Sequence, residues 1–183
     1  MAGIGLENGG NYELILVWCP HRRVVRVRRL RVAVLDAWEG RKLTTIAYDG
    51  TTLATDSQMS SGNLRFGKVN KIIKLKDGRR FAFAGDHALA YAVADWLNGG
   101  TKPERADSEE HQGIIVALDG SVVEVSTELR LAPACVPWAG GSGESIALTA
   151  MHCGKTAKEA VEVACKLDKH SGLPVNVFRP KGT

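Results

Sequence analysis

No run of apolar residues in the 183-residue chain approaches the ~20 that a helix needs to cross a bilayer. The longest near the start, LILVWCP, is cut short at Pro20 and followed by arginines, the wrong side for the charges of a signal peptide. A membrane protein is therefore not expected, and a cytoplasmic location is. The four cysteines, Cys19, Cys135, Cys153 and Cys165, form no CxxC pair and have no histidine at metal spacing, so a structural zinc site is not expected. No G-x-x-x-x-G-K-[ST] loop is present, so any use of ATP has to come from a partner. None of the five histidines stands in a Ser/His/Asp-like setting.

Excess charge is also missing from most of the chain. Of the 24 Lys and Arg, eight lie in residues 1–43, together with four of the 20 acids; residues 44–183 carry sixteen of each. The body is neutral, which argues against nucleic-acid binding by the folded domain. Residues 1–43 hold the basic run HRRVVRVRRLRV, but no capping box, hairpin signal or helical period that would place it in a core. They are read as a leader outside the fold, with 44–183 as one domain. Glu39-Gly40-Arg41-Lys42 fits purine-rich codons, as a ribosome-binding stretch would, and Leu43 fits a TTG start; no methionine lies between Met1 and Thr44. The expectation is a mis-assigned start: translation from position 43 with Met in place of Leu, then trimming to expose Thr44. A processed propeptide and a retained arm, which could bind nucleic acid through its arginines, are the alternatives.

From Thr44 the punctuation becomes regular. Asp49-Gly50, Asp77-Gly78 and Asp119-Gly120 each stand between apolar or β-branched runs, and Asp-Gly supplies the positive φ of tight turns. This predicts three hairpins, TTIAY/TTLAT, KIIKL/RFAFA and GIIVAL/SVVEVS. Helices are predicted over DHALAYAVADWL with Asp86 as N-cap, over SGESIALTAMHCG, and over TAKEAVEVACKLDKHSG, which opens with Thr156 and Glu159 at capping-box spacing. Gly140-Gly141-Ser142-Gly143 reads as a flexible strand-to-helix turn, NGGTKPERADSEEHQ as a surface loop, and PVNVF as a last strand. Antiparallel pairs with segregated helices give an α+β class.

A threonine at a chain's N-terminus carries a hydroxyl and an α-amine that ordinarily titrates near pH ~8, so it can act as nucleophile and base at once. Such a group needs a nearby cation, a carboxylate to anchor it, an N–H for the oxyanion and partners for the amine. Candidates are Lys71 at the start of a hairpin strand, Asp56 at the end of the strand paired with Thr44's, Gly85 between strand and helix, Ser142 in the Gly-rich turn, and Asp168 with Ser171 at the last helix end. Each alone also has an ordinary structural reading.

Their order, through TTIA, ATDS, KVNKIIKL, FAFAGD, GGSG and DKHSG, resembles the proteasome β-type and HslV-like N-terminal nucleophile (Ntn) threonine peptidases, over Thr44 to about Phe178. The resemblance implies a four-layer αββα sandwich of two antiparallel sheets flanked by helices, and a proteolytic subunit of a self-compartmentalised homo-oligomeric ring. An ATP-dependent unfoldase would feed it unfolded protein or peptide. It implies Thr44 as nucleophile and general base, Asp56 and Lys71 as its ion pair, Gly85 as oxyanion donor, and Ser142, Asp168 and Ser171 around the amine and the catalytic water. Phe83 and His87 would lie near the pocket for the residue before the cut. No cofactor is required; a structural sodium ion would sit on the main-chain carbonyls of Cys165, Asp168 and Ser171. A catalytically silent ring subunit and a small-amide Ntn hydrolase are the competing readings.

Overall fold

The computed structural model describes residues 43–61, 64–104 and 111–181. The leader and its arginine run lie outside the described residues. The three Asp-Gly turns close three hairpins, with their glycines at φ 97°, 94° and 86°. The first joins β1 (Thr45–Tyr48) to β2 (Leu53–Thr55), the second β5 (Ile72–Lys74) to β6 (Arg80–Ala84), the third β7 (Gln112–Val116) to β8 (Val122–Val125). The other strands are β3 (Gln58–Ser61), β4 (Leu64–Lys68), β9 (Leu131–Pro133), β10 (Trp138–Gly141) and β11 (Asn176–Phe178). Three helices are described: α1 (His87–Leu97), α2 (Glu144–His152) and α3 (Ala157–Leu167). Asp86 caps α1 by accepting from the Leu89 amide, and Thr156 and Glu159 form a reciprocal capping box on α3.

The strands form two antiparallel sheets, ordered β10-β1-β2-β11 and β5-β6-β7-β8-β9, with β3-β4 as a separate ribbon. Period-two alternation sorts their side chains into three layers of packing. Ile46 and Tyr48 of β1 meet Ala82, Ala84, Ile114 and Val116 between the sheets. Ala47, Ala54 and Ala139 point the other way, against Ala147, Ala160 and Val161 of α2 and α3. Phe81, Phe83 and Ile115 face Ala90, Val93 and Ala94 of α1. The layer order is α2/α3, sheet, sheet, α1: a four-layer αββα sandwich in the α+β class. Strands buried on both faces read as near-continuous apolar runs, which is why FAFA and GIIV are apolar throughout.

The Asp49 turn also serves α3. Its carboxylate accepts the Ala157 amide at 2.7 Å as well as the Thr51 and Thr52 amides. Burial raises the Asp49 pKa, but these bonds and that from the Thr51 hydroxyl outweigh it and hold the carboxyl below its ordinary value.

Two readings need correction. Gly140 and Gly141 are not part of a flexible turn: they end β10, paired with Ile46 and Thr45, and only Ser142 and Gly143 lead into α2. The polar loop stops short of Gln112, which opens β7.

Candidate active site

β1 and β2 run side by side, so Thr44 just before β1 and Asp56 just after β2 fall at the same end of the sheet. Lys71, immediately before β5, reaches this end from the second sheet. Its Nζ donates to Asp56 Oδ1 at 2.8 Å, to Thr44 Oγ1 at 2.9 Å and to the Leu43 carbonyl at 3.2 Å. Three acceptors match the three protons of an ammonium. The pair is buried, with 9% of the Lys71 side chain and none of Asp56 exposed. Asp56 is held in turn by the amides of Thr45 (3.1 Å), Gln58 (2.9 Å) and Gly172 (3.0 Å).

Burial lowers the Lys71 pKa from its ordinary 10.5, and the Asp56 carboxylate opposes the shift without cancelling it. The proton is therefore easier to remove in the folded chain than in the unfolded one. The burial penalty on the charge is fully present below the lowered pKa and is relieved as pH rises toward 10.5. Stability contributed by this group rises with pH across that alkaline window. Lys71→Met should flatten the rise in denaturant-unfolding series; a variant that keeps the full rise would assign it elsewhere.

A second constellation flanks Thr44 on the other side. The Thr44 carbonyl accepts the Ser142 amide at 2.8 Å. Ser142 Oγ and Ser171 Oγ both donate to Asp168 Oδ2, at 2.6 and 2.7 Å. Thr45 Oγ1 lies 2.6 Å from Ser171 Oγ. Side chains are excluded where β10 passes the nucleophile: a Cβ on Gly141 would collide with the Thr44 carbonyl oxygen, and one on Gly143 with Thr45 Oγ1.

Direct hydrogen bonds thus join Thr44, Asp56 and Lys71, and a linked set joins Ser142, Asp168 and Ser171 to the Thr44 backbone. Gly85 is not bonded to this group among the described residues. It follows β6 at φ 147°, where a Cβ would come 2.7 Å from His111 Cβ and 3.0 Å from Phe83, so only glycine fits. Ala84 beside it approaches Gly141, which places the end of β6 next to Thr44. Phe83 packs in the core under α1 and stacks on His111 at 5.5 Å, while His87 is exposed and edges Tyr91. Cys165, half-buried, has its thiol pKa pushed up to about 11, chiefly by burial and then by Asp56, so it stays protonated at neutral pH. Sequence reasoning passed over Thr45, Gln58 and Gly172; only the doubled threonine and the glycine after Ser171 hinted at them. No group of three or more His, Cys, Asp or Glu able to hold a metal occurs among the described residues. Nor is any helix there long and apolar enough to cross a membrane.

Two antiparallel sheets between helices, with a threonine just before the first strand, define the Ntn-hydrolase fold of the proteasome and HslV type. The solved structures it resembles say which examples. BPH from Thiobacillus denitrificans in complex with epoxomicin superposes with a TM-score of 0.58 at 21% identity, covering 74% of this chain and 96% of that one. A second structure of BPH from the same organism gives 0.58 at 19%, covering 76% and 99%. Eukaryotic HslV from Trypanosoma brucei gives 0.57 at 20%, covering 74% and 98%. No protein-family model and no curated protein matches the chain. At these identities the likeness establishes the fold.

Proposed function

We propose that the protein is a threonine-type endopeptidase, the proteolytic subunit of a cytoplasmic, self-compartmentalised ring, with Thr44 as its nucleophile. The observation that carries this reading is the contact of Thr44 Oγ1 with a buried Lys71–Asp56 pair, at 2.9 and 2.8 Å. With Thr44 at the N-terminus, Oγ attacks the peptide carbonyl carbon and its proton passes to the α-amine. The carbonyl π electrons move to oxygen, where the Gly85 N–H meets the charge. Collapse breaks the C–N bond, and the amine's proton leaves with the departing nitrogen. Water then adds to the Thr44 ester, gives a proton to the amine, and releases the acid as Oγ recovers its own. Lys71 lowers the cost of negative charge on Oγ, and Asp56 keeps Lys71 in place.

The reaction needs no cofactor. A structural sodium ion at the end of α3 remains part of the proposal. The carbonyls of Cys165, Asp168 and Ser171 lie at or beyond a helix C-terminus, where unpaired C=O groups carry partial negative charge. The Asp168 carbonyl already accepts the Ser171 amide at 3.2 Å, so a cation there would share it.

Assembly is supported by surface chemistry. Leu64 and Phe66 share one face of β4 and are 68% and 58% exposed, an apolar pair that contact with a second copy would cover. An ATP-driven unfoldase would deliver unfolded chains, since the sequence has no phosphate loop of its own.

One observation favours a silent subunit instead. With Leu43 attached, Thr44 has no free amine, and its hydroxyl donates to the Leu43 carbonyl at 2.6 Å. The test compares the chain beginning at Thr44, the same chain with its terminus acetylated, and the chain retaining residues 1–43. The three hydrophobic clusters draw only on residues 46–178, so all three forms should fold. Peptide and casein cleavage is expected only from the first, together with a size-exclusion mass of several subunits and inhibition by epoxomicin. Equal activity from the blocked forms would exclude the amine as base.

A further inference from the structure

We infer that Thr45 is a positioning residue for Thr44, one that fixes the direction of the hydroxyl chain beside the nucleophile; this rests on the peptidase reading above. The direction follows from counting protons. Asp168, as a carboxylate, only accepts, and each hydroxyl has one proton to give. Ser171 Oγ stands 2.7 Å from Asp168 Oδ2, so its proton is committed there. The 2.6 Å contact between Thr45 Oγ1 and Ser171 Oγ therefore has Thr45 as donor. Ser142, 2.6 Å from the same Oδ2, also points its proton at Asp168. The chain runs Thr45 to Ser171 to Asp168, with Ser142 arriving from the opposite side.

The Thr45–Ser171 end of this chain is closed to solvent and shaped around the one threonine hydroxyl. Thr45 and Ser171 are 0% and 1% exposed. Residue 143 has no room for a side chain: a Cβ there would collide with Thr45 Oγ1 and lie 3.2 Å from Thr45 Cβ and 3.1 Å from Ala164 Cβ. Separations of 2.6–2.7 Å lie at the short end for O–H···O bonds, and a hydroxyl that both accepts and donates strengthens each bond.

The consequence concerns the lone pair of the Thr44 amine. A general base must keep that pair free for the Oγ proton. A neighbouring serine hydroxyl able to rotate could donate to the amine and occupy it. With its proton held on Asp168 and one acceptor site filled by Thr45, Ser171 can offer only its remaining acceptor site to an N–H of the amine or to water. Thr45 thus acts through Ser171 and touches no reacting atom.

Steady-state peptide hydrolysis by the Thr44-terminated protein tests this, with Thr45→Val, Thr45→Ser, Ser171→Ala, the double variant Thr45→Val/Ser171→Ala, and Thr44→Ala as control. Thermal unfolding is recorded for each, and Thr45→Ala replaces the valine variant should that one misfold. The expected result is a kcat about tenfold lower for Thr45→Val with KM little changed, most of the rate recovered in Thr45→Ser, and a double variant no slower than Ser171→Ala alone. Wild-type kcat in Thr45→Val beside an inactive Thr44→Ala would overturn the inference and leave the peptidase reading standing. Multiplicative losses in the double variant would overturn it too, as would a lowered melting temperature with unchanged kcat. An active Thr44→Ala would instead remove the reading on which it rests.

Discussion

Thr44→Ala is expected to abolish peptide and casein hydrolysis, with kcat/KM falling by about 10⁴-fold or more, because the variant has no atom with which to form the acyl intermediate. The side chain is nearly buried, and its Oγ1 is the acceptor that Lys71 Nζ holds at 2.9 Å. Loss of one hydroxyl leaves Lys71 with Asp56 and so removes chemistry without removing the fold. The melting temperature should move by only a few degrees. Thr44→Ser keeps the oxygen and should keep measurable activity, reduced because the methyl group that restricts χ1 is gone. The assay uses a fluorogenic peptide and casein side by side, since a small-amide hydrolase would turn over neither. Hydrolysis by Thr44→Ala at the wild-type rate would exclude this residue as nucleophile.

The second large effect is on stability as well as rate. Asp56 accepts four hydrogen bonds, from three backbone amides and the Lys71 ammonium, with no exposed surface of its own. Asp56→Ala strands a buried cation and three N–H groups at once. Removing one partner of a buried ion pair costs about 3–5 kcal/mol, and the melting temperature should fall by about 10 °C. Asp56→Asn keeps the shape but offers one acceptor oxygen where two served, and turns an NH₂ toward donors. It should unfold at a temperature between the other two. In both variants kcat should drop by about 10²-fold, since Lys71 is no longer fixed against Thr44 Oγ1. Calorimetry and kinetics on one preparation separate the two losses. An Asp56→Asn protein as active as wild type would show that the carboxylate's charge does not tune the nucleophile.

Much of the fold was legible because its signals are local. Asp-Gly between β-branched runs specifies a hairpin through glycine's access to positive φ, and Thr156 with Glu159 specifies a helix start through the reach of two side chains. The strands that escaped notice have weak local signals. QMSS has one apolar residue, and the alternation of LRFGK lasts only from Leu64 to Phe66 before Gly67 interrupts it, so β3 and β4 are weakly marked. Gly140 and Gly141, the end of WAGG, read as part of a turn because two glycines seldom hold a strand. Here their bare backbone lets β10 lie against the Thr44 carbonyl, and pairing of Thr45 with Gly141 fixes it as a strand. The pleat turns Phe83 toward α1, a choice between two sheet faces that alternation within FAFA leaves open.

The candidate residues themselves divide along the same line. The sequence by itself specified the elements and the residue types at their ends: a threonine before one strand, an aspartate after the next, a lysine before another, hydroxyls and a carboxylate near a helix terminus. Sterics and side-chain reach over a few residues suffice for that. Only the tertiary structure decided that they meet, because the bonds that bring them together close over 15 residues for Lys71–Asp56, 27 for Lys71–Thr44 and 126 for Thr45–Ser171. Contacts so distant in sequence are set by sheet register and by the packing of both sheets on a shared apolar layer, which no short stretch of chain encodes alone.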